Sequence, residues 1–320
     1  MRRLLCLLIL VAGIMGTQDS FAQRKKKKKK KGEETTEVAP PKPKEDKKSI
    51  KFLTKKSRKI DGLFTLYQDT TSGSLHMAIS EDQLNKEFIY FSQVSDGVPD
   101  AGQFRGAYGQ SQVFHIEKYF DRLEFVVPNQ SSYFDPDNAL SKAASANISN
   151  AILASVKFET FDKKEGKYLI KVDNIFLKET LRQVKPPRFP GGSPFAFSLG
   201  NLDPTKTKIN GIRNYEKNTD LAIEYVYSKA SVLNGGSRAV TDGRSVGIKV
   251  YHTLLAMPDE DYDMRWDDSR VGYFATQQTD MTSTESMAYR DKIHRWKLVK
   301  KDPNAAVSEP VEPIVWWIEN

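Results

Sequence analysis

LAIEYVYS (residues 221–228) and VGIKVYHTLLAMP (246–258) decide the fold. Both alternate in period two, as a strand with one buried face does. Between them LNGGSRAVTDGR (233–244) carries Gly and Asp-Gly turn chemistry, so the pair reads as an antiparallel hairpin with a long tip. The same pattern recurs toward the N-terminus. GLFTLYQ (62–68) and SLHMAIS (74–80) flank the turn cluster 69–73, QVFHIEKY (112–119) and RLEFVVP (122–128) flank Phe120 and Asp121, and SVKFETF (155–161) and YLIKVD (168–173) flank 162–166. EFIYFSQV (87–94) is a further strand, preceded at Ser80–Gln83 by a capping-box pattern for one helical turn. Asn138 to Ser155 is rich in Ala, Ser, Ile and Leu at spacings of three to four, which predicts one substantial helix over 138–155. The expected class is α+β and β-rich, with antiparallel hairpins forming twisted sheets. No repeat of fixed period and no βαβ alternation is visible.

Composition narrows the function classes. The chain has 320 residues, 39% hydrophobic and 28% charged, with a single Cys, which excludes collagen, a disulfide scaffold and a multi-span helical membrane protein. Its formal charge of +8 is localised. Residues 23–48 hold 12 basic against 5 acidic side chains, while 49–320 hold 35 of each. The basic excess belongs to a tail, so no nucleic-acid partner is expected for the folded part.

The tail follows an export-like start. Arg2 and Arg3 precede an apolar run from Leu4 to Met15, and Ser20-Phe21-Ala22 places small residues at a cleavage site before Gln23. The order is that of a secretory signal peptide over 1–22, and the run is too short for a membrane span. Cys6 lies inside the run, so the mature chain is expected to lack cysteine. Residues 23–49 read as a disordered Lys/Pro-rich spacer. Its block from Arg24 to Lys31 offers contact with an anionic envelope surface. The expected location is exported: periplasmic, outer-membrane-associated or secreted.

The search for chemistry is mostly negative. His76, His115, His252 and His294 are isolated from one another, and the first three fall within strand runs as half-buried side chains. There is no His-Glu-x-x-His helix, no G-x-S-x-G elbow and no phosphate-binding loop. Asp259-Glu260-Asp261-Tyr262-Asp263, with Asp267 and Asp268, offers carboxylates for calcium but lacks the Gly and final Glu of an EF-hand loop. No catalytic, cofactor-binding or metal-binding residue is therefore assigned, and no cofactor is expected in this chain.

A more specific signal starts at residue 266. WDDSRVGYFATQQTDMTS (266–283) and YRDKIHRWKLVKKDPNAAVSEPVEPIVWWIEN (289–320) resemble the run-in to the catalytic domain of exported bacterial, Bacteroidetes-type zinc metalloproteases that are metzincin-like. The resemblance implies two uncharacterised N-terminal domains, drawn as a small β-hairpin domain over 50–98 and a larger β-rich domain over 99–300. Residues 301–320 become a linker and the first strand of an absent catalytic domain. In such proteins the zinc-binding His-Glu-x-x-His-x-x-Gly-x-x-His segment lies further on, so no zinc ligand or general base maps onto this sequence. The implied role is a non-catalytic scaffold, propeptide or substrate-docking module, inactive by itself. Its implied partners are the catalytic domain, in cis or as a split product, and a protein or peptide substrate. The alternative is a stand-alone β-rich binding protein of the cell envelope.

Overall fold

The computed structural model describes residues 47–109, 111–144, 146–187, 191–193, 195–258, 264–316 and 318. The signal peptide, almost all of the spacer and the acidic run 259–263 lie outside the described residues.

A twelve-stranded, antiparallel sheet organises the fold. Its strands in chain order begin with β1 (Ser57–Ile60), β2 (Thr65–Asp69), β3 (Leu75–Ser80), β4 (Glu87–Asp96), β5 (Gln112–Tyr119) and β6 (Arg122–Val127). A two-residue β7 (Ser132–Tyr133) belongs to a separate sheet. Next come β8 (Ala151–Asp162), β9 (Lys167–Lys171), β10 (Asn201–Leu202), β11 (Lys208–Asn214), β12 (Asn218–Ser228) and β13 (Ser245–Ala256). The spatial order is β1-β2-β3-β9-β8-β6-β5-β4-β13-β12, with β10 and β11 both paired to β12. Every hairpin expected from the period-two runs forms: β2 with β3, β5 with β6, β8 with β9, and β12 with β13. Gln83 and Ser80 also form the capping box, around the single 3-10 turn Glu81–Gln83.

The substantial helix over 138–155 does not form. Asn138 caps only a 3-10 turn, Ala139–Ala143, by accepting from the Leu140 amide at 2.9 Å. Asn147 sits at φ 61°, a left-handed conformation that a continuing helix does not admit. From Ala151 onward the chain is strand β8, paired with β6 and β9. Dense Ser and Asn side chains compete for the backbone, and pairing to two neighbours outweighs the helical spacing. The α-helices among the described residues are two single turns, α1 (Ile50–Leu53) and α2 (Asp173–Phe176).

The boundary drawn at 98/99 from the resemblance falls inside this sheet. β3 pairs with β9, and β4 lies between β5 and β13. Residues 57–96 therefore share one hydrogen-bonded sheet with 112–256.

The two ends of the sheet are clasped together. Asn214, at the end of β11, donates from Nδ2 to the carbonyls of Ile60 (3.0 Å) and Phe64 (2.7 Å). Its Oδ1 accepts from the Thr219 hydroxyl at 2.6 Å, and the Leu63 amide donates to the Tyr215 carbonyl at 2.7 Å. A Cβ on Gly62 would lie 2.2 Å from Asn214 Oδ1, so only glycine lets the chain pass this closely. The sheet thus wraps around one main core. Leu66, Met77, Phe88, Phe114, Ile223 and Val250 are among its buried side chains, and α2 adds Ile175 and Phe176.

A second sheet is small. β14 (Ala275–Asp280) pairs antiparallel with β15 (Tyr289–Ile293) and, over two residues, parallel with β7. It opens an arm over 264–318. The expected strand at Pro313–Glu319 does not form at its described positions. Residues 313–316 and 318 have no strand assignment, and Trp316 and Ile318 are 78% and 88% exposed. An apolar run makes a strand only against a partner ladder, and no partner strand lies against it among the described residues.

Candidate functional site

The four histidines occupy separate places. His76 Nε2 lies 3.3 Å from Glu159, His115 Nε2 lies 2.6 Å from Glu117, and His294 Nε2 lies 2.7 Å from the Thr276 hydroxyl. His76 and His115 are half-buried, as expected for strand histidines. Among the described residues, no three His, Cys, Asp or Glu side chains converge as metal ligands. The described residues do not assemble the set of about three protein ligands and an open position that a catalytic zinc needs. No zinc-dependent step is derived for this chain.

His252 is different. Alternation along β13 turns it inward with Val250 and Leu254, and it is buried to 1% exposure. Tyr90 of β4 lies 2.9 Å from its Nδ1, and Tyr225 of β12 lies 2.9 Å from its Nε2. Tyr225 donates its own proton to the Phe176 carbonyl at 2.7 Å. A hydroxyl has one proton, so Tyr225 accepts from Nε2–H, and Nδ1 accepts from Tyr90. Ser92 hydrogen-bonds to the Tyr90 phenol, and Arg182 Nη1 donates to Ser92 at 3.3 Å. A directed chain therefore runs from Arg182 through Ser92, Tyr90, His252 and Tyr225 to a backbone carbonyl.

Beside it, Glu179 Oε1 accepts from the Tyr227 phenol (2.8 Å) and from the amides of Val184 (2.8 Å) and Lys185 (2.5 Å). Burial, with the nearby Arg182 charge, pushes the His252 imidazole down to about 3, so the ring is neutral. Burial pushes the Tyr90 phenol up to about 12, and Tyr225 and Tyr227 are also raised, chiefly by burial. Ser92, Tyr90, His252 and Tyr225 are buried and Arg182 is half-buried, which leaves the ring of His252 closed to a substrate. The evident action of the directed chain is to fasten residues 176–185 to the inside of the sheet.

The arm has the opposite character. Trp266 meets Tyr133 edge-on at 6.1 Å, and the charged groups of Arg290 and Lys292 lie 5.1–5.7 Å from the centres of both rings. Arg290 also pairs at 2.6 Å with Asp280, which is buried. The carboxyl of Asp280 is held below its usual range, first by the Thr282 hydrogen bond. These contacts tie the arm to β7, yet they enclose no apolar core. Among the described residues every buried apolar side chain precedes residue 255. Of the 28 large apolar side chains that are exposed, 17 lie in 264–318, including Phe274, Trp296, Leu298, Val307, Trp316 and Ile318. Scattered exposed apolar residues are ordinary, but this density in a segment without an apolar core is not.

A family model described as a domain of unknown function, DUF5117, matches residues 106–301. The chain belongs to the DUF5117 family. Comparison with curated proteins and with solved structures gave no match. The DUF5117 region takes in β5 to β15, and so includes His252, Tyr225 and most of the arm. It leaves out β1 to β4, although β4 supplies Tyr90 and Ser92 and separates β5 from β13 in the sheet. The sheet of the DUF5117 region is therefore completed by strands that precede it in the chain. Sequence reading placed His252 in a strand run as a half-buried side chain, and missed its full burial and its partners. The detectable signal was that Tyr90 and Tyr225 stand on inward phases of their own strands.

Proposed function

We propose that this DUF5117 chain is the non-catalytic N-terminal part of an exported metzincin-like zinc metalloprotease, and that its arm seats the catalytic domain, in cis or as a separate polypeptide. The observation that carries the reading is the arm over 264–318, with its many exposed apolar side chains and no apolar core of its own among the described residues. Its sequence also resembles the run-in to such catalytic domains. Burying one large apolar side chain is worth roughly 1.5–3 kcal/mol, so a partner covering several of them gains a substantial interface. Export and a periplasmic, outer-membrane-associated or secreted location belong to the same proposal, on the order of charges and apolar residues in 1–22.

Two expectations follow for the purified protein. Casein digestion is expected to be absent with or without added zinc, because no ligand triad is assembled among the described residues. Chelator-sensitive cleavage by this chain alone overturns the non-catalytic assignment. Deleting residues 311–320 is expected to leave the melting temperature within about 2 °C of the parent, since the described side chains there are mostly exposed and surface changes cost little. A fall of many degrees shows instead that this segment completes the fold, favouring a stand-alone binding protein. The decisive experiment reads the gene beyond codon 320 or its neighbouring frames. A His-Glu-x-x-His domain that binds this chain and shields Trp296 and Trp316 from solvent supports the reading. Absence of any such frame removes it.

A further inference from the structure

The outward face of β11, β12, β13 and β4 carries an ordered set of side chains independent of the arm. Strand register aligns three rows across it. The central row is Gly211, Ala222, Tyr251 and Gln93. On one side lie Arg213, Asp220, Thr253 and Phe91, and on the other Lys208, Glu224, Lys249 and Asp96. The last row is closed on itself: Lys208 pairs with Glu224 at 3.3 Å and Lys249 with Asp96 at 3.2 Å. A cleft of about 470 Å³ lies over this face, lined by the central row with Arg213, Asp220 and Thr253 on one side and Ser95 and Lys249 on the other. Its floor is low at Gly211 and Ala222, so the Tyr251 ring stands beside a trough.

The polar groups around that trough are largely uncommitted. Among the described residues, Gln93, Ser95, Thr253 and the Tyr251 phenol make no side-chain hydrogen bond. Asp220 accepts only from Asn218, at 2.9 Å. Arg213 has neither a hydrogen bond nor an ion pair through its side chain, although it lies opposite Asp220 in register. Among the described residues it is the one cation of the lining that makes no ion pair.

We propose that this cleft binds an acidic oligosaccharide, with a uronate carboxylate on Arg213 and a sugar ring against Tyr251. A sugar brings many hydroxyls of both donor and acceptor character, which suits the neutral polar groups of Gln93, Ser95 and Thr253. Its carboxylate meets the Arg213 guanidinium, which makes no ion pair and whose planar fork matches it. A peptide fits less well. Extended peptides bind at sheet edges through free backbone groups, whereas here the ladders of β12, β13 and β4 are paired on both sides.

The test titrates the full chain with tetragalacturonate, neutral cellotetraose and a tetraglutamate peptide. Tetragalacturonate is expected to saturate the protein, with cellotetraose weaker and tetraglutamate weakest. Tyr251→Ala is expected to weaken tetragalacturonate by about tenfold or more, and Arg213→Gln to reduce it to the cellotetraose level, another factor of about ten. Both positions are exposed on the strand surface, and an unchanged melting temperature in each variant separates lost binding from lost folding. Failure of tetragalacturonate to saturate, binding indifferent to both substitutions, or tetraglutamate binding equally well each overturns the proposal.

Discussion

Stability is expected to fall by about 2 kcal/mol between pH 7 and pH 5, and replacing His252 by Gln should abolish most of that fall. The folded state holds the ring neutral, with its titration pushed down to about 3 by burial and then by Arg182. An unfolded histidine takes its proton near pH 6.5. Between about 6.5 and about 3 the unfolded chain therefore binds one proton that the native chain does not. The sign follows: this contribution is fully present above pH 6.5 and is lost as the pH falls, at about 1.4 kcal/mol per unit. Gln can both donate and accept, so His252→Gln keeps partners for Tyr90 and Tyr225 while removing the titration. His252→Phe leaves the Tyr90 proton without its acceptor and should cost about 2–4 kcal/mol already at pH 7. Denaturant midpoints at pH 7, 6 and 5 for the three proteins check this. Parallel pH slopes for the parent chain and His252→Gln would show that His252 is not the group responsible.

The second large effect is expected at the clasp. Asn214→Ala removes two donors from the Ile60 and Phe64 carbonyls and the acceptor of the Thr219 hydroxyl. Leaving such groups unpaired in a largely buried place costs about 3 kcal/mol, or about 10 °C in melting temperature. Gly62→Ala should cost a similar amount for a different reason, since its Cβ would press on the Asn214 amide from 2.2 Å. That amide is pinned by its own bonds and cannot swing aside. The double variant distinguishes a shared clasp from two unrelated losses: with Asn214 shortened, the added methyl meets no amide. The double variant is therefore expected to lose clearly less than the sum of the single losses. Simple additivity would mean that Gly62 and Asn214 act separately.

How far the sequence carried the fold depends on the range of each interaction. Hairpins such as β5–β6 and β12–β13 were legible, since alternation and turn residues are local signals. The joining of β3 to β9 and of β4 to β13 was not, since nothing local in SLHMAIS or EFIYFSQV names a partner 90 or 160 residues away. The helix over 138–155 failed on a related point. Its spacing was real, but Asn147 and the pairing of β8 overrode it. The run at 313–319 was read as a strand whose partner lies in an absent domain, and its described positions, with no partner ladder beside them, have no strand assignment. At the buried site, His252 was legible as a half-buried strand histidine, while Arg182 and Glu179 lie in irregular chain where no period applies. Nothing in the sequence marked Asn214. Its role exists only once residue 60 has come alongside.

The position of β4 also governs when this molecule becomes a folded object. One of its edges is filled early by β5, but the other waits for β13, and the clasp at Asn214 waits equally long. During synthesis, a nascent chain that has not yet released residue 256 carries a ten-residue strand with one bare edge, open to any passing backbone. Closing contacts across such separations is slow, because loop-closure entropy is lost before any pairing compensates it. The sheet cannot lock until nearly all of its strands have been made.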